Sequence, residues 1–186
     1  MTRPRGRPAQ GQGVARDDIL TTALTLLDES GGQGLTMRAL ATRLGVTPMS
    51  LYNHVADQAG LLRALSDRVY AEALKGPGEL ADHRAEIRGL LTRYHQAVGR
   101  HPQLTLALFA TPEALAGVTR QITDRLTTLL AGITAEPILW RDVLVDHAHG
   151  SGLALASVRG AKMQSQILQE QYGQALDRLL DGLSRS

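Results

Sequence analysis

The sequence predicts an all-α protein in two parts, and three observations carry that prediction. Apolar residues recur at helical spacing along most of the chain, and β-branched runs are scarce. The run Gly76-Pro77-Gly78 breaks the chain, setting a shorter N-terminal part against a longer C-terminal one. With 186 residues there is enough chain to bury a proper core. Aromatic content is 3%, so that core must be built from Leu, Ala, Val and Ile. No uninterrupted apolar stretch approaches the ~20 residues needed to span a bilayer, and the N-terminus has no secretory apolar region. Cysteine is absent, which excludes disulfides and thiolate metal sites. A cytoplasmic protein without a membrane span is the expectation.

Residues 1–15, MTRPRGRPAQGQGVA, have too little apolar content to fold alone and read as a flexible basic arm. Net charge is only +2, too small to argue for nucleic acid by itself, but its placement is uneven. Arg3, Arg5, Arg7 and Arg16 all precede the first acidic residue. The core Arg5-Gly6-Arg7-Pro8 resembles the AT-hook, in which two arginines flanking a glycine lie along a narrow minor groove. Arg5 and Arg7 are therefore candidate DNA contacts. A first helix is expected from about Arg16 to Ser30, with Ile19, Ala23, Leu26 and Leu27 on one face. Asp17 and Asp18 favour the positive end of its dipole. Gly31, Gly32 and Gly34 end it.

The stretch Leu35–Val55, LTMRALATRLGVTPMSLYNHV, reads as two short helices joined by a tight turn. Thr36 is a good N-cap for a helix starting at Met37, and Leu40, Ala41 and Leu44 form its apolar face. Gly45 stands where a helix ends in a left-handed residue. Thr47 caps again, with Pro48 at the first helical position, where its missing N–H does no harm. Leu51 and Val55 bury the second helix, leaving Pro48, Met49, Ser50, Tyr52, Asn53 and His54 on its flanks and outer side. This is a helix-turn-helix pattern, whose second helix enters a DNA major groove. The segment resembles the DNA-reading segment of the TetR family of transcriptional regulators, particularly members with a Leu-Tyr-x-His-Val run. That resemblance covers roughly the first third of the chain.

Asp57 is a plausible cap for a helix from about Gln58 to Lys75, whose stripe Leu61, Leu62, Leu65, Val69, Ala73 and Leu74 is broad enough to touch two bodies. Beyond the break, helices are expected at about 80–99, 103–109, 111–131, 137–158 and 164–183. The 111–131 helix would start at Thr111-Pro112-Glu113. Within 137–158, Gly150 and Gly152 each cost about 1 kcal/mol against alanine, so they mark close helix approach, a kink or a break. Domain boundaries are expected at 16–75 and 76–186.

No nucleophile with a base, no paired carboxylates and no metal cluster stand out, so neither an enzyme nor a cofactor is expected. His147 and His149, two apart, would point about 200° away from each other on a helix and could not share a metal unless the helix breaks at Gly150. An interhelical pocket is mainly apolar with a few polar groups. The large adaptable side chains available for one are Tyr94, Phe109, Trp140, His147 and Met163.

The resemblance implies an N-terminal three-helix helix-turn-helix DNA-binding domain joined by the 58–75 helix to a C-terminal ligand-binding and dimerisation domain. It implies a homodimer paired through its last two helices, with Leu176 a buried position on that seam. Its partners would be a double-stranded DNA operator and a small-molecule effector that releases it. It further implies phosphate contacts from Tyr52 and His54, with Thr36, Arg38 and Thr47 assisting and Arg38 able to reach a guanine edge. Two departures are notable: Ala56 and Gln58 stand where the family commonly has lysines. They keep open a rival reading, a helical ligand-binding or interaction module without DNA binding.

Overall fold

In a computed structural model of the chain, residues 14–31, 34–76, 82–158 and 160–183 are described, and among them the only regular structure is helical. α1 spans Arg16–Glu29, α2 Met37–Leu44, α3 Pro48–Tyr52 and α4 Gln58–Leu74. α5 spans His83–Arg100, α6 Pro102–Phe109, α7 Val118–Ala131, α8 Pro137–Ser157 and α9 Lys162–Gly182, with a 3₁₀ turn at Pro112–Ala114. The basic arm, with Arg5 and Arg7, lies outside the described residues.

α2, α3 and α4 begin where local side chains hold them. Thr36 Oγ1 accepts from the Ala39 N–H at 3.1 Å, Thr47 Oγ1 from Ser50 at 3.3 Å and Asp57 Oδ1 from Gly60 at 2.7 Å. Each satisfies an N–H that the helix itself cannot. Gly45 closes α2 at φ +68°, a conformation costly for any residue with a Cβ. α1 buries Ile19, Leu20, Ala23 and Leu27, and α2 and α3 add Leu40, Ala41 and Leu51 to the same core. The broad stripe of α4 does meet two bodies, since α4 packs on α1 as well as on α5, α6 and α7. The apolar core is continuous through it from Ile19 to Leu183.

α5 is the axis of the second part, packed chiefly against α8 and also against α4 and α7. Its start at His83 is fixed by Asp82, whose carboxylate accepts from the Arg84 and Ala85 N–H groups at 2.9 and 3.2 Å. The helix expected over 111–131 is in fact two pieces. The 3₁₀ turn ends at Ala114, and Gly117 stands at φ +69° before α7 begins. α8 runs unbroken through both of its glycines, and they differ. A Cβ at Gly152 would lie 2.7 Å from Val98 Cγ1 and 3.1 Å from the His95 carbonyl, so this glycine lets α8 close onto α5. Gly150 faces open space, with nothing within 4 Å of a built Cβ. α9 begins at Lys162, two residues before the expected start.

One expectation is overturned within α9. Leu176, read as a position on the seam between subunits, is fully buried inside the single chain beside Tyr172, Leu180 and Leu183. A charge there attacks the subunit core, not a dimer interface.

Candidate nucleic-acid interface and regulatory core

α3 is held from below and open above. Leu51 (0% exposed) and Val55 (6%) anchor it, while Met49 (71%) and Tyr52 (46%) stand in solvent. Thr47, Pro48, Asn53 and His54 are exposed as well, and Ser50 is half-buried. The outer row read from the sequence is therefore brought together on one exposed surface. Ser50 shares its hydroxyl with Thr47 at 3.0 Å, which ties the cap to the first turn of α3. The chain leaves α3 by a tight turn in which the His54 and Val55 N–H groups both donate to the Leu51 carbonyl, at 2.9 and 3.1 Å. Asn53 and His54 are presented on that turn, past the last helical residue.

Thr36 and Arg38 line one wall of a cleft of about 650 Å³ on the outer side of α2, with Ala39, Thr42, Arg43 and Leu26 completing it. Thr36 spends its hydroxyl on capping, so it positions the start of α2. Arg43 is paired with Glu29 of α1. Gln58, in the place of a family lysine, is exposed, and its Nε2 donates to the Leu35 carbonyl at 3.0 Å. It joins α4 to the segment that enters α2.

The five large side chains considered for an effector do not form one group. Tyr94 and Phe109 meet around His149. The Tyr94 hydroxyl lies 2.7 Å from His149 Nε2, and the Phe109 ring meets that imidazole edge-on at 4.9 Å. Tyr70 joins them, 5.2 Å from the Tyr94 ring, with its hydroxyl 2.7 Å from Thr105 Oγ1. His147 belongs to a second group, stacked at 5.2 Å on Tyr172 with its Nε2 buried and unpartnered. His95 lies against the same ring at 3.7 Å, nearly parallel, and its Nε2 is 3.1 Å from Ser151 Oγ. Trp140 is half-buried near Gly182, and Met163 is 79% exposed.

Burial dominates the electrostatics of these groups. It pushes the Tyr70 phenol up to about 12 and raises those of Tyr94 and Tyr172. It also holds the His95 imidazole down to about 4 and lowers that of His149. His95 and His149 are therefore neutral hydrogen-bonding groups near neutral pH. His149, Tyr70 and Tyr172 were not among the sequence candidates for this region. Their partners lie 35 to 81 residues away, beyond any local pattern. Between α5 and α9 a polar cleft of about 580 Å³ opens over the His95–Tyr172 stack, bounded by the Arg88–Asp177 pair and by Gln96, Gln166, Gln169 and Gln174. Among the described residues no group of three His, Asp or Glu side chains is placed to hold a metal ion. No described helix is long and apolar enough to cross a membrane.

Residues 19–65 match the family model for bacterial regulatory proteins of the tetR family. An uncharacterised HTH-type transcriptional regulator of Mycobacterium tuberculosis is 35% identical over 109 residues, covering 52% of this chain and 50% of that protein. The class D tetracycline repressor protein of Escherichia coli is 35% identical over 95 residues, 46% of this chain and 44% of the repressor. The chain thus spans about half the length, or less, of these curated relatives. The solved structure of BioQ with its natural double-stranded DNA operator superposes with a TM-score of 0.70 at 26% identity, over 93% of this chain and 99% of that one.

Proposed function

We propose, from the match of residues 19–65 to the tetR family model and from the fold shared with operator-bound BioQ, that the chain is a DNA-binding transcriptional regulator of the tetR family of bacterial regulatory proteins. It acts as a repressor that a small-molecule ligand releases from its operator. The observation that carries the reading is the outward row of α3, Met49, Tyr52, Asn53 and His54, exposed above the buried anchors Leu51 and Val55. A side chain that leaves water for no partner inside its own fold is free to meet a base edge or a phosphate. The operator-bound BioQ structure and the repressor among the relatives support the same reading. Tyr52 and His54 take phosphates, Arg38 a guanine edge, and Arg5 and Arg7 of the arm the adjoining minor groove.

The active species is a homodimer. α8 keeps Ile138, Leu139 and Val143 exposed and α9 keeps Met163 and Ile167 exposed, apolar surface that a second copy would cover. Two copies place two recognition helices on half-sites about 34–36 Å apart. A ligand that binds better at another separation shifts the population away from the DNA-binding form by its differential affinity. α4, packed on both parts, carries that movement. The regulatory unit is residues 76–186 and the reading unit 16–75.

A mobility shift with the DNA flanking the protein's own gene, at fixed salt, tests the reading. The wild type should retard it, and Tyr52→Ala should weaken binding roughly tenfold or more, because a hydrogen bond to a charged group is worth ~1.5–3 kcal/mol. Tyr52 is exposed, so the variant should fold as the wild type does. A wild type that retards no DNA would favour the module without DNA binding, and equal affinity of the two proteins would take Tyr52 out of the DNA interface.

A further inference from the structure

α7 has no capping side chain of its own. It follows Gly117, which stands at φ +69° and offers no side chain to cap the first turn. The cap comes from another helix: Asp67 of α4 accepts from the Val118 N–H through Oδ1 at 2.8 Å. One turn earlier on α4, Arg63 Nη2 donates to the Glu113 carbonyl at 2.7 Å. Residues four apart share a helix face, so one face of α4 grips both ends of the segment 113–118. Ala114, next to Glu113, is fully buried. The fit leaves no slack, because a Cβ on Gly117 would fall 2.3 Å from Asp67 Oδ1.

The clamp's position gives it leverage. The other polar links from α4 to the second part sit towards its far end: Tyr70 with Thr105, Glu72 with Arg100, and the Ala73 carbonyl with Arg93. At 1.5 Å per residue, Arg63 is roughly 8 Å along the axis from the start of α4, against roughly 22 Å for Ala73. The start of α4 is where Asp57 and Gln58 join it to the reading helices. We propose that Asp67 and Arg63 are positioning residues for operator binding, fixing α4 and hence the recognition helix to the segment that opens α7. A shift of that segment then moves α3, and a tight hold on it keeps the two recognition helices at one separation.

The inference rests on the DNA-binding reading, and the experiment separates the two. The flanking-DNA site is prepared with its natural half-site separation and with one base pair inserted, and affinity is measured for both. Asp67→Ala removes the cap; Asp67→Asn keeps an acceptor oxygen of equal capping power; Gly117→Ala displaces Asp67 from the other side, leaving every side chain of α4 intact. The two alanine variants should lose discrimination between the sites by roughly fivefold, the size of one cap hydrogen bond. Asp67→Asn should keep it. Amide exchange at Val118 in the free protein should accelerate in the alanine variants alone. Joining Asp67→Ala to Gly117→Ala should add nothing, since both break one contact. Undiminished discrimination by Asp67→Ala overturns the inference, and so does an asparagine variant as impaired as the alanine. A wild type that retards no DNA overturns the functional reading and the inference with it, whereas a wild type that binds beside indifferent variants overturns the inference alone.

Discussion

The two parts of this molecule place their polar chemistry in opposite directions. From α1 to the start of α4, the core is apolar and the hydrogen-bonding side chains face outward on α2, α3 and the turn after it. Three successive helices, α2, α3 and α4, are capped by the residue before them. From α5 onward only α5 is capped that way, and the polar groups face inward as Tyr94–His149, His95–Ser151 and the Tyr172 hydroxyl on the Leu91 carbonyl. The first part is a locally encoded scaffold displaying its chemistry. The second is a tertiary assembly that encloses it. Display suits a surface that must meet a rigid duplex, and enclosure suits a body that must change packing when something enters it.

The largest effect that would sharpen this contrast lies in the enclosed part. Leu176→Glu puts a carboxylate into a site closed to solvent, and burying a charge costs an amount comparable to the roughly 5–15 kcal/mol that hold a domain together. The variant should lose its cooperative melt altogether. Leu139→Glu, at a position 54% exposed on α8, should instead give folded monomers by sedimentation. A folded monomer from Leu176→Glu would mean that the inner face of α9 is the subunit seam after all.

The same difference explains what the sequence could and could not tell. Thr36, Thr47, Asp57 and Gly45 are local signals, each deciding a helix end within four residues, and every end they predicted is where the structure has it. The outward row of α3 followed from Leu51 and Val55 alone. In the second part, the break at Gly117 depends on Asp67, fifty residues earlier, so Thr111-Pro112-Glu113 looked like the start of one long helix. His147 and His149 were rightly placed on different sides of α8. Their actual partners, Tyr172 and Tyr94, could not be read from spacing. Gln58 shows the limit even in the readable part, for nothing local says that it reaches the Leu35 carbonyl.

An intermediate effect separates the glycines of α8, and it is best measured in the Leu139→Glu monomer so that subunit packing does not intrude. Gly152→Ala forces a methyl against Val98 and the His95 carbonyl and should destabilise by about 1–3 kcal/mol through overpacking. Gly150→Ala meets nothing and should stabilise by up to about 1 kcal/mol through helix propensity alone. Urea melts give both signs. Equal effects would show that α8 does not lie against α5 at this point.

The smallest effect at neutral pH grows as acid is added, and it should fall on one part only. Burial lowers His95 from its ordinary 6.5 to about 4, and lowers His149 in the same direction. A histidine with a depressed folded-state value binds its proton more readily when unfolded. The unfolded chain therefore takes up protons first as pH falls, and stability should decline from about pH 6.5 towards pH 4. Asp177, held below its usual range by its hydrogen bond to Arg88, loses its contribution only on further acidification, and as a half-exposed pair it contributes little. No buried histidine stands in the reading helices, where His54 is in solvent. Trp140, the sole tryptophan, lies on α8 and reports the enclosed part by its fluorescence. The midpoint of its urea transition should drop between pH 6.5 and 4.5 in the wild type. His95→Gln, which keeps a donor for Ser151 but cannot titrate, should flatten that dependence even if it lowers stability at every pH. A slope unchanged by His95→Gln would mean that protons enter this part through other groups, and that the imidazole on Tyr172 is packing alone.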